Sequence, residues 1–175
     1  SEEVKSRSWQ RNLSMRLFLF LIAWLRCLQL LDLEKRVKFE FELYRAISKS
    51  KDVPKSKKLI LNSNDRMHFH QKAKIIQELK RITFNQVRNP LNSLKKLPLF
   101  DSTRTCSVTL TVFTPTKRRS DPDNLQPTLK AIMDGFTESG LWSDDNHEVV
   151  KFTKYQYGGL SGTKAYRLEV DIEEV

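Results

Sequence analysis

Four aspartates carry the chemistry that this chain can be expected to do. Asp121 and Asp123 stand two apart in "SDPDN", and Asp144 and Asp145 stand together in "WSDDN". Lys130 and Asp134 lie between the two pairs. Carboxylates brought close together repel one another unless a cation joins them. The hard divalent ions Mg²⁺ and Mn²⁺ favour such oxygen ligands and keep waters for exchange with a substrate. On a phosphodiester, those ions activate water and neutralise the leaving oxygen. Taken singly the signals are modest. An Asp before a helix is commonly its N-cap, Asp-Asp suits a turn, and Lys130 with Asp134 has the spacing of a surface pair. Their order along one stretch raises the metal reading above each of these.

The elements around them must bring the pairs together. A helix is expected to start between Asp123 and Pro127, either through a capping box of Asp123 with Gln126 or with Pro127 as its first residue. Leu125, Leu129, Ile132, Met133 and Phe136 then form one apolar stripe. Asp123, Pro127, Lys130 and Asp134 share the opposite face at about 100° per residue. Gly140 allows a turn near the helix end. If the strand after Asp145 lies beside the one ending at Thr114, then Asp121, Asp123, Asp144 and Asp145 converge.

The net charge supports a polyanionic partner. Lys and Arg number 31 against 21 Asp and Glu, a formal charge of +10 in 175 residues. Nucleic acid is the first class this suggests, an anionic membrane the second, and plain solubility the bland alternative. A hydrophobic fraction of 39% with ten Phe excludes a disordered chain. Cys27 and Cys106 match no zinc spacing and are too few for a disulfide scaffold, which points to a reducing, cytoplasmic setting.

"LFLFLIAWL", Leu17 to Leu25, follows Lys5, Arg7, Arg11 and Arg16. No small-residue cleavage site follows it, and it is shorter than the roughly 17–25 apolar residues of a membrane span. Neither export nor spanning is expected, and neither is a membrane partner. Met15 to about Phe41 reads as one helix with a polar stripe at Arg26, Gln29, Asp32 and Arg36. Its apolar surface calls for cover, from this chain or a dimer partner before a membrane surface. "SKSKDVPKSKK", Ser48 to Lys58, reads as a solvated linker.

Beyond it, "KLIL" is expected as a strand, Asn62–Asp65 as a turn, and the next segment as a long helix burying Ile75, Ile76, Leu79, Ile82, Thr83 and Val87. "RTCSVTLTVFTP" alternates as a strand, with Cys106, Val108, Leu110 and Val112 on one side. "EVVKFTKYQY" and "AYRLEVDIEE" read as a hairpin joined by "GGLSGTK". The order suggests an α/β or α+β fold with a small mixed sheet and packed helices. His68, His70 and His147 show no metal-ligand partner in the sequence.

The segment "DPDNLQPTLKAIMDGFTESGLWSDD" resembles the core of the RusA family of Holliday junction resolvases. Upstream, "LNSNDRMHFHQKAK" resembles that family's loop and first helix, so the likeness covers roughly Lys57 to Val175. The resemblance implies a small mixed α/β domain at 57–175; the N-terminal helical extension and linker at 1–56 have no counterpart in it. It implies a homodimer that makes paired, symmetric, Mg²⁺-dependent nicks in four-way junction DNA, with Mn²⁺ able to substitute. By position it assigns metal binding to Asp121, Asp123 and Asp145, with Asp144 adjacent. The family's lysine lies four residues after the second Asp. Pro127 holds that spot here, and Lys130, three further along the same helix face, takes the role. Arg66, Lys117, Arg118 and Arg119 are the expected DNA contacts, and Asn64 and His68 lie in the loop brought near the site. A non-catalytic DNA-binding protein that keeps the nuclease fold is the alternative.

Overall fold

The computed structural model describes residues 15–27, 35–89 and 96–175. Gln29 and Asp32 of the expected polar stripe, the basic residues Lys5, Arg7 and Arg11, and Pro90 lie outside the described residues. The chain divides into two compact units, Ser1–Arg36 and Val37–Val175. In the first, residues 15–27 form a helix, α1, in which Leu17, Phe18, Phe20 and Trp24 are exposed. Among the described residues no helix is long and apolar enough to cross a membrane.

The helix expected to reach Phe41 does not. Arg36–Arg45 is a strand, β1, in which Val37, Phe39, Phe41 and Leu43 are buried and Lys38, Glu40 and Glu42 are exposed. "RVKFEFELYR" alternates with a period of two, so only an extended backbone puts all four apolar side chains on one face. The boundary expected at residue 56 is corrected with it, because β1 is an inner strand of the sheet. Ser48–Lys57 is therefore a loop inside the unit. It joins β1 to β2 (Lys58–Ile60), which pairs with it in parallel. Lys58 Nζ closes that loop by donating to the carbonyls of Ser48 at 2.9 Å and Ser50 at 2.6 Å.

α2 (Phe69–Arg88) buries Ile75, Leu79, Thr83 and Val87, one stripe at a spacing of four. β3 (Cys106–Thr114) follows, then a 3-10 turn at Pro122–Leu125 that leads into α3 (Gln126–Ser139). Asp121 is the cap residue of the 3-10 turn and Pro127 lies in the first turn of α3, so the Asp123–Gln126 capping box does not form. Gly140, at φ 78°, ends α3 in the left-handed conformation that glycine adopts without a Cβ clash. β4 (Val150–Leu160) and β5 (Tyr166–Glu174) complete an α+β fold.

The five-stranded mixed sheet runs β2-β1-β5-β3-β4. β3 pairs with β4 in parallel and with β5 antiparallel, so β4 and β5 flank β3 and do not form the expected hairpin. β3 is buried along almost its whole length and needs a partner on each edge. The connection at 161–165 passes the end of β3, where Ser161 N donates to Thr114 O at 2.8 Å. The parallel β3/β4 pair requires a crossover, and α3 supplies it.

One face of the sheet and the two long helices enclose the core. Phe39 of β1 meets Phe136 of α3 at 4.8 Å between ring centroids, and Trp142 packs edge-on to Phe136. The helices touch at Gly135, where a Cβ would lie 2.8 Å from Thr83 Cβ and 3.0 Å from the Lys80 carbonyl. Only glycine fits that crossing without a shift.

Candidate functional site

The acidic stretch sits on the crossover between β3 and β4. Its start is fixed by a buried latch. Thr128 Oγ1 accepts from Leu61 N at 2.8 Å and donates to Leu61 O at 2.7 Å, pinning the first turn of α3 to the residue after β2. One turn earlier, Asn124 O accepts from Ser63 N at 2.8 Å and from Ser63 Oγ at 3.2 Å. Asn64 Nδ2 adds a 3.5 Å contact to Asn124 Oδ1. These bonds seat the Asn62–Asp65 turn against the 3-10 turn that carries Asp123. The turn keeps its shape through Asn62 Oδ1, which accepts from Asn64 N, and through Asp65, whose carboxylate pairs with Arg45. Asn64 and Asp65 thus shape a turn. The cap of α2 is His68, which accepts from His70 N.

Asp121 and Asp123 are both exposed, and neither carboxylate has a hydrogen-bond or ion-pair partner among the described residues. Asp123 lies close enough to Tyr155 of β4 to act on its phenol. Burial first, and then the Asp123 charge, push the Tyr155 phenol above its ordinary range. Arg66 in the neighbouring turn and Lys117, Arg118 and Arg119 between β3 and Asp121 are exposed and without a protein partner among the described residues. Two free carboxylates and four free cations therefore occupy adjoining turns.

The second acidic pair divides its work. Asp144 is bound within its own turn: Oδ1 accepts from Asp145 N at 2.8 Å and Oδ2 from Asn146 Nδ2 at 3.0 Å. Asp145 instead receives the ammonium of Lys130 on α3. Lys130 also pairs with Asp134 at 3.0 Å, and Lys80 of α2 reaches Asp134 at 3.9 Å and Glu138 at 2.9 Å. The hydrogen bond that Lys130 donates to Asp145, outweighing partial burial, holds the ammonium charged above its usual range. Lys80 is raised in the same way by Glu138.

The structure therefore brings Lys130, Asp134 and Asp145 together, and sets Asp121 and Asp123 on one turn. It does not gather all four aspartates. Among the described residues no group of three or more His, Cys, Asp and Glu side chains is close enough to hold a metal ion. A Mg²⁺ site does not need three, because this ion is commonly held by one or two carboxylates plus waters and substrate phosphates. The unpartnered oxygens of Asp121 and Asp123 fit that donor set, whereas each oxygen of Asp144 already accepts one hydrogen bond within its turn.

Sequence reasoning missed Thr128, the Asn124–Ser63 contact, Tyr155 and Lys80. Thr128 alone left a trace, as a polar residue adjoining the apolar stripe of α3. Tyr155 falls in a strand whose neighbours were assigned differently. No protein-family model matches this chain, and no curated protein matches it.

Proposed function

We propose that this chain is a Mg²⁺-dependent, structure-selective endodeoxyribonuclease that resolves four-way DNA junctions by paired nicks, as in the RusA family. One observation carries the reading. Asp121 and Asp123 present exposed, unpaired carboxylates beside an unpaired basic loop, on the turn that leads into a helix bearing a fixed ammonium at Lys130. A protein of net charge +10 that leaves two carboxylates open to solvent beside free cations suits a polyanion and a divalent ion together.

In this reading Arg66, Lys117, Arg118 and Arg119 neutralise backbone phosphates and set the register of the strand. Asp121 and Asp123 hold Mg²⁺ or Mn²⁺, which supplies Lewis-acid activation of the phosphodiester and of water. Asp134 and Asp145 orient the Lys130 ammonium, which meets negative charge developing on the phosphate oxygens. The Asn124–Ser63 contact keeps the Arg66 turn against the carboxylates. Two coordinated nicks need two sites, and a two-fold homodimer matches the near symmetry of a junction.

The test is incubation of the purified chain with a synthetic four-way junction in Mg²⁺ and in EDTA. Symmetric nicks that depend on the metal support the proposal. Tight junction binding with no nicks in Mg²⁺ or Mn²⁺ supports the second reading, a DNA-binding protein without cleavage. That reading is favoured by the Lys130–Asp145 pair, in which the ammonium already neutralises the carboxylate.

A further inference from the structure

β4 is an edge strand of eleven residues, "VKFTKYQYGGL", with no acidic residue and with Lys151 and Lys154 along it. Apart from Val150 its side chains are exposed or half-exposed, including Phe152 at 54% and Tyr157 at 53%. The register with β3 assigns the two faces. Phe152, Lys154 and Gln156 stand opposite Ser107, Thr109 and Thr111, and Gln156 Nε2 donates to Thr111 Oγ1 at 2.8 Å on that open face. Tyr155 and Tyr157 stand opposite Leu110 and Val112, on the helix-covered face.

On that second face the strand borders the candidate site. Tyr155 packs against the core, and its phenol is raised by burial first and then by the Asp123 charge. Tyr157, two residues on, places its hydroxyl 3.5 Å from Thr114 Oγ1, at the point where the chain leaves β3 for Lys117–Arg119. On this face the strand offers the exposed ring of Tyr157 with no carboxylate of its own, next to the basic Lys117–Arg119 loop, which complements a polyanion that also carries flat π faces.

We propose that the edge of β4 is a contact surface for unpaired DNA, on which Tyr157 stacks against a base of the strand whose phosphates meet the Lys117–Arg119 loop. This rests on the nucleic-acid reading above and deepens it, since a strand held by a stacked base is an opened strand rather than an intact duplex. Register between backbone and site is then set by one ring. Bulges at both ends of the β3/β4 pairing, between Cys106 and Ser107 and between Val112 and Phe113, leave only a short regular stretch of edge for pairing with another strand.

The experiment measures affinity of the full chain for a fluorescent single-stranded oligonucleotide and for a matched duplex, in EDTA so that no cleavage enters. Tyr157→Ala should weaken single-strand binding about five- to a hundredfold and leave the duplex nearly unaffected. Tyr157→Phe should restore it, and the slope of log affinity against log salt should not change. Phe152→Ala, on the other face, should bind as the parent does. A Tyr157→Ala chain with parental single-strand affinity overturns the proposal. So does a Tyr157→Ala chain whose only change is loss of self-association in size-exclusion chromatography, because β4 then covers a second copy. Failure of the nuclease reading is seen separately, as absent cleavage in Mg²⁺ with the Tyr157 effect on binding intact.

Discussion

The Lys130 ammonium on α3 meets the Asp145 carboxylate in the loop before β4, across a separation of fifteen residues. That pair ties the middle of the crossover helix to the chain that leaves it. It also fixes the position of a charge that would otherwise sweep a wide arc on a flexible stem. A catalytic role and a structural role for this lysine differ in what removing it costs.

Lys130→Ala and Lys130→Gln are each expected to slow junction cleavage about a hundredfold or more, the scale of losing one preorganised electrostatic contact. Junction affinity should fall far less, since one phosphate contact among several is a small share of binding. Folding stability should change by only about 0–1 kcal/mol, because the pair is solvent-screened. Single-turnover cleavage and binding measured on the same preparations separate these. Full activity in Lys130→Ala would remove the residue from the mechanism.

The same pair makes a statement about pH. Asp145 holds the Lys130 pKa above its ordinary 10.5, so the ammonium is present throughout the neutral range and persists beyond that value. Any loss of cleavage within the neutral range must come from another group. In Asp145→Asn the lysine should titrate at lower pH than in the parent, as read from its Cε resonance by NMR.

Asp121→Asn and Asp123→Asn should abolish cleavage and leave junction binding intact or tighter, because less negative charge then faces the phosphates. Asp144→Asn should be milder than either, since its amide oxygen can still accept from Asp145 N, although the bond from the Asn146 side chain is lost. A set of parallel cleavage and gel-shift assays checks the ranking. Equal loss in all three variants would contradict the division between Asp144 and the 3-10 turn.

Thr128→Val retains shape but leaves the amide and carbonyl of Leu61 without their buried partner. Stability should fall by about 1–3 kcal/mol, visible as a lower midpoint in denaturant. Because the latch also seats the Arg66 turn, junction affinity should decline with it at temperatures where the variant is folded.

Cys106 is buried in β3, and burial pushes its thiol up from 9.0 to about 12, whereas Cys27 is exposed. A thiol reagent at neutral pH should therefore modify one cysteine in the folded chain and two after denaturation. The sign for stability follows from the folded pKa lying above the unfolded one. Below pH 9.0 the thiol is neutral in both states and carries no penalty. As pH rises from 9.0 to about 12 the unfolded chain ionises first, and stability is progressively lost.

The helices and β3 were legible because their apolar spacing repeats long enough to exclude other periods. Ile75, Leu79, Thr83 and Val87 mark α2, and Leu125, Leu129, Ile132 and Phe136 mark α3. The strand at Arg36–Arg45 was misread because the sequence before it is rich in apolar residues at helical spacing. The four-residue spacing of Val37 with Phe41, and of Phe39 with Leu43, suits either period, and only the intervening Lys38, Glu40 and Glu42 decide it. The β4–β5 pairing was misread because two strands joined by a short glycine-containing segment favour a hairpin locally. Burial of β3 on both edges is a tertiary demand that no local pattern carries. At the site, residue types were readable and their grouping was not. Whether Asp144 or Asp145 meets Lys130 depends on the path of one turn.

The place of β5 has a consequence for how the molecule comes to be. It is the last strand in chain order, yet in the sheet it alone joins β1 and β2 on one side to β3 and β4 on the other. Until it is in place the chain holds two sheet fragments, each with an open inner edge, and the early strand β1 waits for a neighbour more than a hundred residues downstream. Such non-local closure is slow, and a nascent chain exposes those edges while synthesis continues. Deletion of Tyr166–Glu174 would therefore divide the sheet in two rather than trim its border.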